Sequence, residues 1–176
     1  MAVFNHKSDG SGVMWTGHPN DKTIPIYAAA WDIEESREAI YQYLHDDCRW
    51  FQADPGYKHP AKLPALDPAW GHEKRLTLSA EGCFAHAETI ADIEKYPWPD
   101  PSLCDFTDIY AQIDQFPDRA VFSGMWSPFF HNVADFFGME NYFIKMYESP
   151  EVVEAATEHI TDYYIVAGEK FFSGFR

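Results

Sequence analysis

Cysteine is scarce in this 176-residue chain, and its three copies are far apart (Cys48, Cys83 and Cys104). An odd, dispersed set excludes a disulfide framework and points to a reducing compartment. Cys83 and His86 form one Cys-x-x-His pair, but no second pair of matching spacing follows. The expectation is therefore no metal. Long apolar runs are missing too, so no segment reads as a membrane span. The opening MAVFNHKSDGSG has no signal-peptide core, which leads to the expectation of a cytoplasmic protein. Cations are few, with 13 Lys and Arg against 28 Asp and Glu, for a net charge of −15. Nucleic acid and anionic membrane surfaces are poor partners for such a chain. The plainer use of the charge is solubility. There is no internal repeat.

Aromatic residues are abundant: six Trp, ten Tyr and fourteen Phe. They exclude intrinsic disorder and supply both core and pocket walls. Residues 1–12 read as a flexible arm, and residues 13–176 as one domain. Short apolar runs at 12–17 (GVMWTG), 48–53 (CRWFQA) and 120–124 (AVFSG) read as strands. Residues 75–79 (RLTLS) alternate like a small hairpin arm. Helices are expected from 20 or 21 to 30, over 34–44, from Thr89 to Lys95, over 106–115, from Pro128 to Phe137 and over 140–147. A last one starts at Ser149-Pro150, with Val153, Ala156, Ile160, Tyr163, Ala167 and Phe171 on one stripe. The alternating Pro97, Pro99 and Pro101 forbid helix there and read as scaffolding. Strands separated by helices imply a parallel sheet in an α/β fold.

Chemistry collects where a parallel strand stops and the next helix begins. Asp54 stands at the end of the second strand, and the alternative there is an Asp-Pro-Gly turn in which its carboxylate bonds backbone N–H groups. His131, one helical turn past Pro128, is placed to move a proton near neutral pH, or else is a half-buried histidine bonded to a carbonyl. These two are the candidate catalytic residues. Trp15, His18, Tyr57, Trp126 and Asn132 are the candidate substrate-binding residues. The four aromatic residues would wall a flat apolar ligand, unless they are ordinary packing at strand ends, and Asn132 would orient a ligand carbonyl, or else cover a helix end.

Two segments carry a family resemblance. Residues 87–109 (AETIADIEKYPWPDPSLCDFTDI) resemble the helix–proline–helix element of the uroporphyrinogen decarboxylase superfamily. Residues 122–164 (FSGMWSPFFHNVADFFGMENYFIKMYESPEVVEAATEHITDYY) resemble its downstream strand, turn and helices. Residues 12–33 and 46–54 are similar more faintly. The resemblance implies the first three β/α units of a TIM (β/α)8 barrel with a hairpin insertion, the N-terminal half of a longer enzyme. It implies a lyase acting on a porphyrin, or a methyltransferase that uses a corrinoid or other methyl donor and a thiol. It also gives Asp54 the position of the decarboxylases' aspartate. The decarboxylases' Arg-Gln-x-Gly-Arg grip on carboxylates is replaced here by WTGHPN, and Arg37, Arg49, Arg75, Arg119 and Arg176 are scattered. The methyltransferases' His-x-Cys is absent. The expectation is accordingly no cofactor in this chain, with zinc or corrinoid confined to a full-length parent. A small-molecule substrate, tetrapyrrole or methyl donor, is expected. A non-catalytic role is the other expectation: an inactive fragment that pairs with itself or with the missing half through an open strand edge.

Overall fold

The computed structural model describes residues 17–68 and 80–174. The chain divides into two compact units, one of residues 1–52 and 109–123, the other of residues 53–108 and 124–176.

In the first unit, helix α1 (Ile24–Trp31) begins with Pro25 in its first turn, where a missing N–H costs nothing. Helix α2 (Arg37–Tyr43) is capped by Ser36, whose hydroxyl accepts the Ala39 N–H at 3.1 Å. It stops because His45 turns left-handed (φ 54°), which lets the Asp46 N–H reach back to the Tyr41 carbonyl at 2.8 Å. Strand β1 (Cys48–Gln52) then starts, with the buried Asp46 carboxylate accepting the Cys48 N–H at 2.7 Å. Strand β2 (Ala120–Gly124) runs parallel beside it, as the Ala120 N–H to Asp47 carbonyl bond at one end and the Ser123 hydroxyl to Phe51 carbonyl bond near the other require. Arg49 is buried yet fully engaged. Its guanidinium donates to Glu38 and to the Asp46 and Cys48 carbonyls, and lies 4.6 Å over the Tyr41 ring.

The second unit is helical. A one-turn helix α3 (Ile90–Ile93) opens at Thr89, whose N–H and hydroxyl both donate to Asp92. A 3-10 turn (Pro101–Leu103) and helix α4 (Thr107–Ile113) follow, and the unit boundary falls within α4. Helices α5 (Phe129–Phe137), α6 (Met139–Glu148) and α7 (Pro150–Ser173) complete the unit. At 24 residues, α7 is about 36 Å long. It buries the expected stripe: Val153, Ala156, Ile160, Tyr163, Ala167 and Phe171. Against its N-terminal half, α3, α5 and α6 deliver Ile93, Val133, Phe136, Phe137 and Tyr142. The proline segment joins this core through Tyr96 and Trp98, which stack around Phe84 and Phe136.

These elements overturn the partial TIM barrel. Only two strands pair among the described residues, not the three of three β/α units. A barrel strand is buried on both faces, whereas β2 leaves Phe122 about half exposed and Ala120 exposed. Between the strands, only short helical pieces occur among the described residues, in place of a single crossover helix. The expected strand at 12–17 lies outside the described residues except for Gly17, which is not in a strand, and the hairpin arm at 75–79 lies wholly outside them.

Candidate functional site

In the second unit, the Ala53 N–H donates to the Gly124 carbonyl at 3.1 Å. Asp54 and Trp126 therefore follow closely on two neighbouring chain segments, each just past the carboxyl end of its strand. Asp54 is exposed. The loop after it is held by backbone bonds, Gly56 to the Asp105 carbonyl (2.9 Å) and Lys58 to the Leu103 carbonyl (3.0 Å), and by a Lys58–Asp105 ion pair. That pair and the N–H of Thr107 keep the Asp105 carboxyl well below the ordinary carboxylate range. Tyr57 lies in the same loop. Its hydroxyl accepts the Asp100 N–H at 3.1 Å, and burial raises its pKa.

Beyond β2, the turn turns back on itself. Ser127 donates to the Met125 carbonyl, and the Phe129 N–H to the Ser127 carbonyl. This geometry leaves Trp126 71% exposed, with Phe129, Phe130 and His131 also at the surface in the first turn of α5. His131 meets the edge of Phe130, ring centroids 5.7 Å apart. Asn132 is turned inward, and its side-chain oxygen accepts the Tyr164 hydroxyl at 2.8 Å. With that oxygen engaged, the amide N–H2 is the end left to donate to a ligand carbonyl.

The sequence reading missed the part that ties these segments together, the adjacent tyrosines of α7. Tyr164 holds Asn132, while Tyr163 packs edge-on to Tyr57 at 6.5 Å and hydrogen-bonds the Cys104 thiol at 3.4 Å. Burial pushes both phenols and the thiol above their ordinary pKa values, with Tyr163 pushed furthest. Lys170, two turns further along α7, donates to the Ser102 and Cys104 carbonyls at the end of the 3-10 turn. The available signal was Tyr163-Tyr164 itself. Two neighbouring helix positions point about 100° apart, so one joins the apolar stripe and the other must face a different neighbour.

Asp54, Tyr57, Trp126, His131 and Asn132 thus belong to the second unit, and Tyr57 and Asn132 are tied to one helix. His18 is not among them. It belongs to the first unit, where its Nδ1 lies 3.2 Å from the Tyr41 hydroxyl and its ring 5.2 Å from Trp50. Burial, then the nearby Arg37 guanidinium, lowers its pKa. Trp15 lies outside the described residues. His86 faces Glu81 at 3.4 Å, and no group of three or more His, Cys, Asp or Glu side chains able to hold a metal occurs among the described residues. No described helix is long and apolar enough to cross a membrane.

No family model matches the chain, and no curated protein or solved structure matches it.

Proposed function

We propose that this protein is a small-molecule enzyme of the uroporphyrinogen decarboxylase type, working at the surface formed by the segments after β1 and β2. The observation that carries the reading is the Ala53–Gly124 bond, which brings together two strand ends bearing a carboxylate on one side and an aromatic turn followed by a histidine on the other. Ligands of parallel sheets bind beyond the carboxyl ends of the strands. Methyl transfer to a thiol is favoured over decarboxylation of a polycarboxylate. Arg37 is bonded to the Pro19 carbonyl and Asp21, Arg49 to Glu38, and Arg119 faces the Asp46 carbonyl, so these guanidinium groups already have partners. In the proposed step, His131 accepts the thiol proton. The sulfur lone pair then forms the new S–CH3 bond, and the donor keeps the electron pair of the bond that breaks. In the decarboxylation alternative Asp54 would stabilise the cationic intermediate; in either reaction Trp126 and Tyr57 wall a flat ligand, and Asn132 orients it.

The test is an assay of methyl loss from methylcobalamin in the presence of 2-mercaptoethanol, alongside carbon dioxide release from a porphyrinogen. Methyl transfer is expected, falling about 10²–10⁴-fold in His131→Ala. A variant within about threefold of the parent removes His131 from proton transfer, and absence of both activities sinks the enzyme reading.

A second reading has its own observation. Trp126, Phe129 and Phe130 are large, apolar and exposed side by side, as on a surface that another polypeptide or a second copy covers. Sedimentation of the parent and of Trp126→Ser separates the readings, because only association predicts a mass that drops in the variant.

A further inference from the structure

Helices α6 and α7 enclose an open groove of about 490 Å³ on the second unit, and none of the candidate site residues lines it. Its floor is Tyr142, Met146, Pro150 and Val153, and its rim is Glu154 and Glu158. The Thr157 hydroxyl, which also lines it, is turned back onto the Val153 carbonyl at 2.7 Å and contributes no free donor. Along α6, Phe143, Met146 and Tyr147 stand exposed at helical spacing, Tyr147 at 90%. An apolar stripe next to a groove is the form of a helix-docking surface.

The charge around it selects the occupant. Every basic side chain on these two helices has a partner elsewhere. Lys145 donates to the Ala87 carbonyl, His159 pairs with Glu94, and Lys170 holds the 3-10 turn. Glu154 and Glu158 enter none of the ion pairs among the described residues. They stand on a chain already at −15. An acidic partner would bring like charges together, whereas a basic one would neutralise the rim as it buries the floor. We infer that this groove docks a basic amphipathic helix of a partner protein, with apolar side chains on Met146 and Val153 and Lys or Arg on Glu154 and Glu158. This inference is independent of the proposed reaction.

The test uses a synthetic amphipathic helix of Leu and Lys and its Leu/Glu counterpart, each followed by fluorescence anisotropy against the full chain. The Leu/Lys peptide is expected to bind with a Kd of about 10–100 µM, and the Leu/Glu peptide not at all. Glu154→Lys with Glu158→Lys should weaken binding at least about tenfold, as should Met146→Ser, with circular dichroism unchanged. Glu34→Lys with Glu35→Lys, the same charge change on the first unit, should weaken it less than about twofold. The proposal is overturned by no binding of the Leu/Lys peptide at about 1 mM, or by equal weakening in the two charge-reversed pairs. Self-association abolished by Met146→Ser also overturns it, because the occupant is then a second copy.

Discussion

Tyr96 shows how one side chain ties pH to stability. It is buried among Phe84, Trp98 and Phe136, and its hydroxyl accepts the Asp67 N–H at 2.7 Å. Burial pushes its pKa up to about 12, only partly offset by that N–H. An unfolded tyrosine titrates near pH 10, so between about pH 10 and 12 the unfolded chain binds fewer protons than the folded one. Stability present below pH 10 is therefore lost as pH rises through that window, on the order of 2–3 kcal/mol from this group. Tyr96→Phe should cost about 1 kcal/mol at neutral pH and make the alkaline limb of the stability profile shallower. Tyr163, displaced in the same direction, keeps the limb from vanishing. A profile of urea midpoints against pH checks this, and an unchanged slope in the variant refutes it. Aromatic abundance was visible in the composition. Which tyrosine would carry the shift was not, because burial depends on neighbours far along the chain.

Among the elements, the junction of α5 with α6 is the most constrained. Gly138 adopts φ +80°, and a β-carbon there would lie 2.8 Å from the Ala80 carbonyl oxygen. Gly82 approaches the same helix end so closely that a β-carbon would fall 2.2 Å from the Phe136 carbonyl oxygen. That approach lets the Phe84 N–H cap the Phe136 carbonyl at 2.8 Å, satisfying one of the orphan acceptors at the end of α5. Gly138→Ala is expected to cost about 1–3 kcal/mol, and Gly82→Ala more, since backbone must move. Denaturant titration should show lower midpoints with unchanged slope. Midpoints equal to the parent's would mean the junction gives way freely. The helix stop at Gly138 was legible from Phe136-Phe137-Gly138. The close approach of residues 80–84 was not, because no local pattern marks a contact across more than fifty residues. The sheet misled for a related reason. The run at 120–124 is apolar enough for a central strand, but β2 is paired with β1 alone among the described residues.

For the whole molecule, charge is the dominant property. With −15 on 176 residues, self-repulsion opposes the compact state. Raising NaCl from about 0.01 M to about 0.5 M shortens the screening length from about 30 Å to about 4 Å, so the melting midpoint is expected to rise. The surface pairs Lys58–Asp105 and Lys95–Asp92 weaken under the same conditions, but exposed pairs contribute little. A calorimetric midpoint that falls with salt would show that pairs outweigh repulsion. The same excess of carboxylates makes the α6–α7 groove selective for a basic partner.

Local rules in the sequence determined where several helices begin and end: Thr89 opens α3, Pro150 starts the long one, and a stripe spaced for 3.6 residues per turn chose the buried face of α7, whereas the start expected at 34 for α2 falls short of its Ser36 cap. These depend on neighbours within a few positions, so they can be read directly. Only the tertiary structure decided how many strands pair, which of Tyr163 and Tyr164 faces Asn132, and that His18 stands in a different unit from His131. Pairing and packing depend on groups brought together from distant positions, and no short window of residues carries that information.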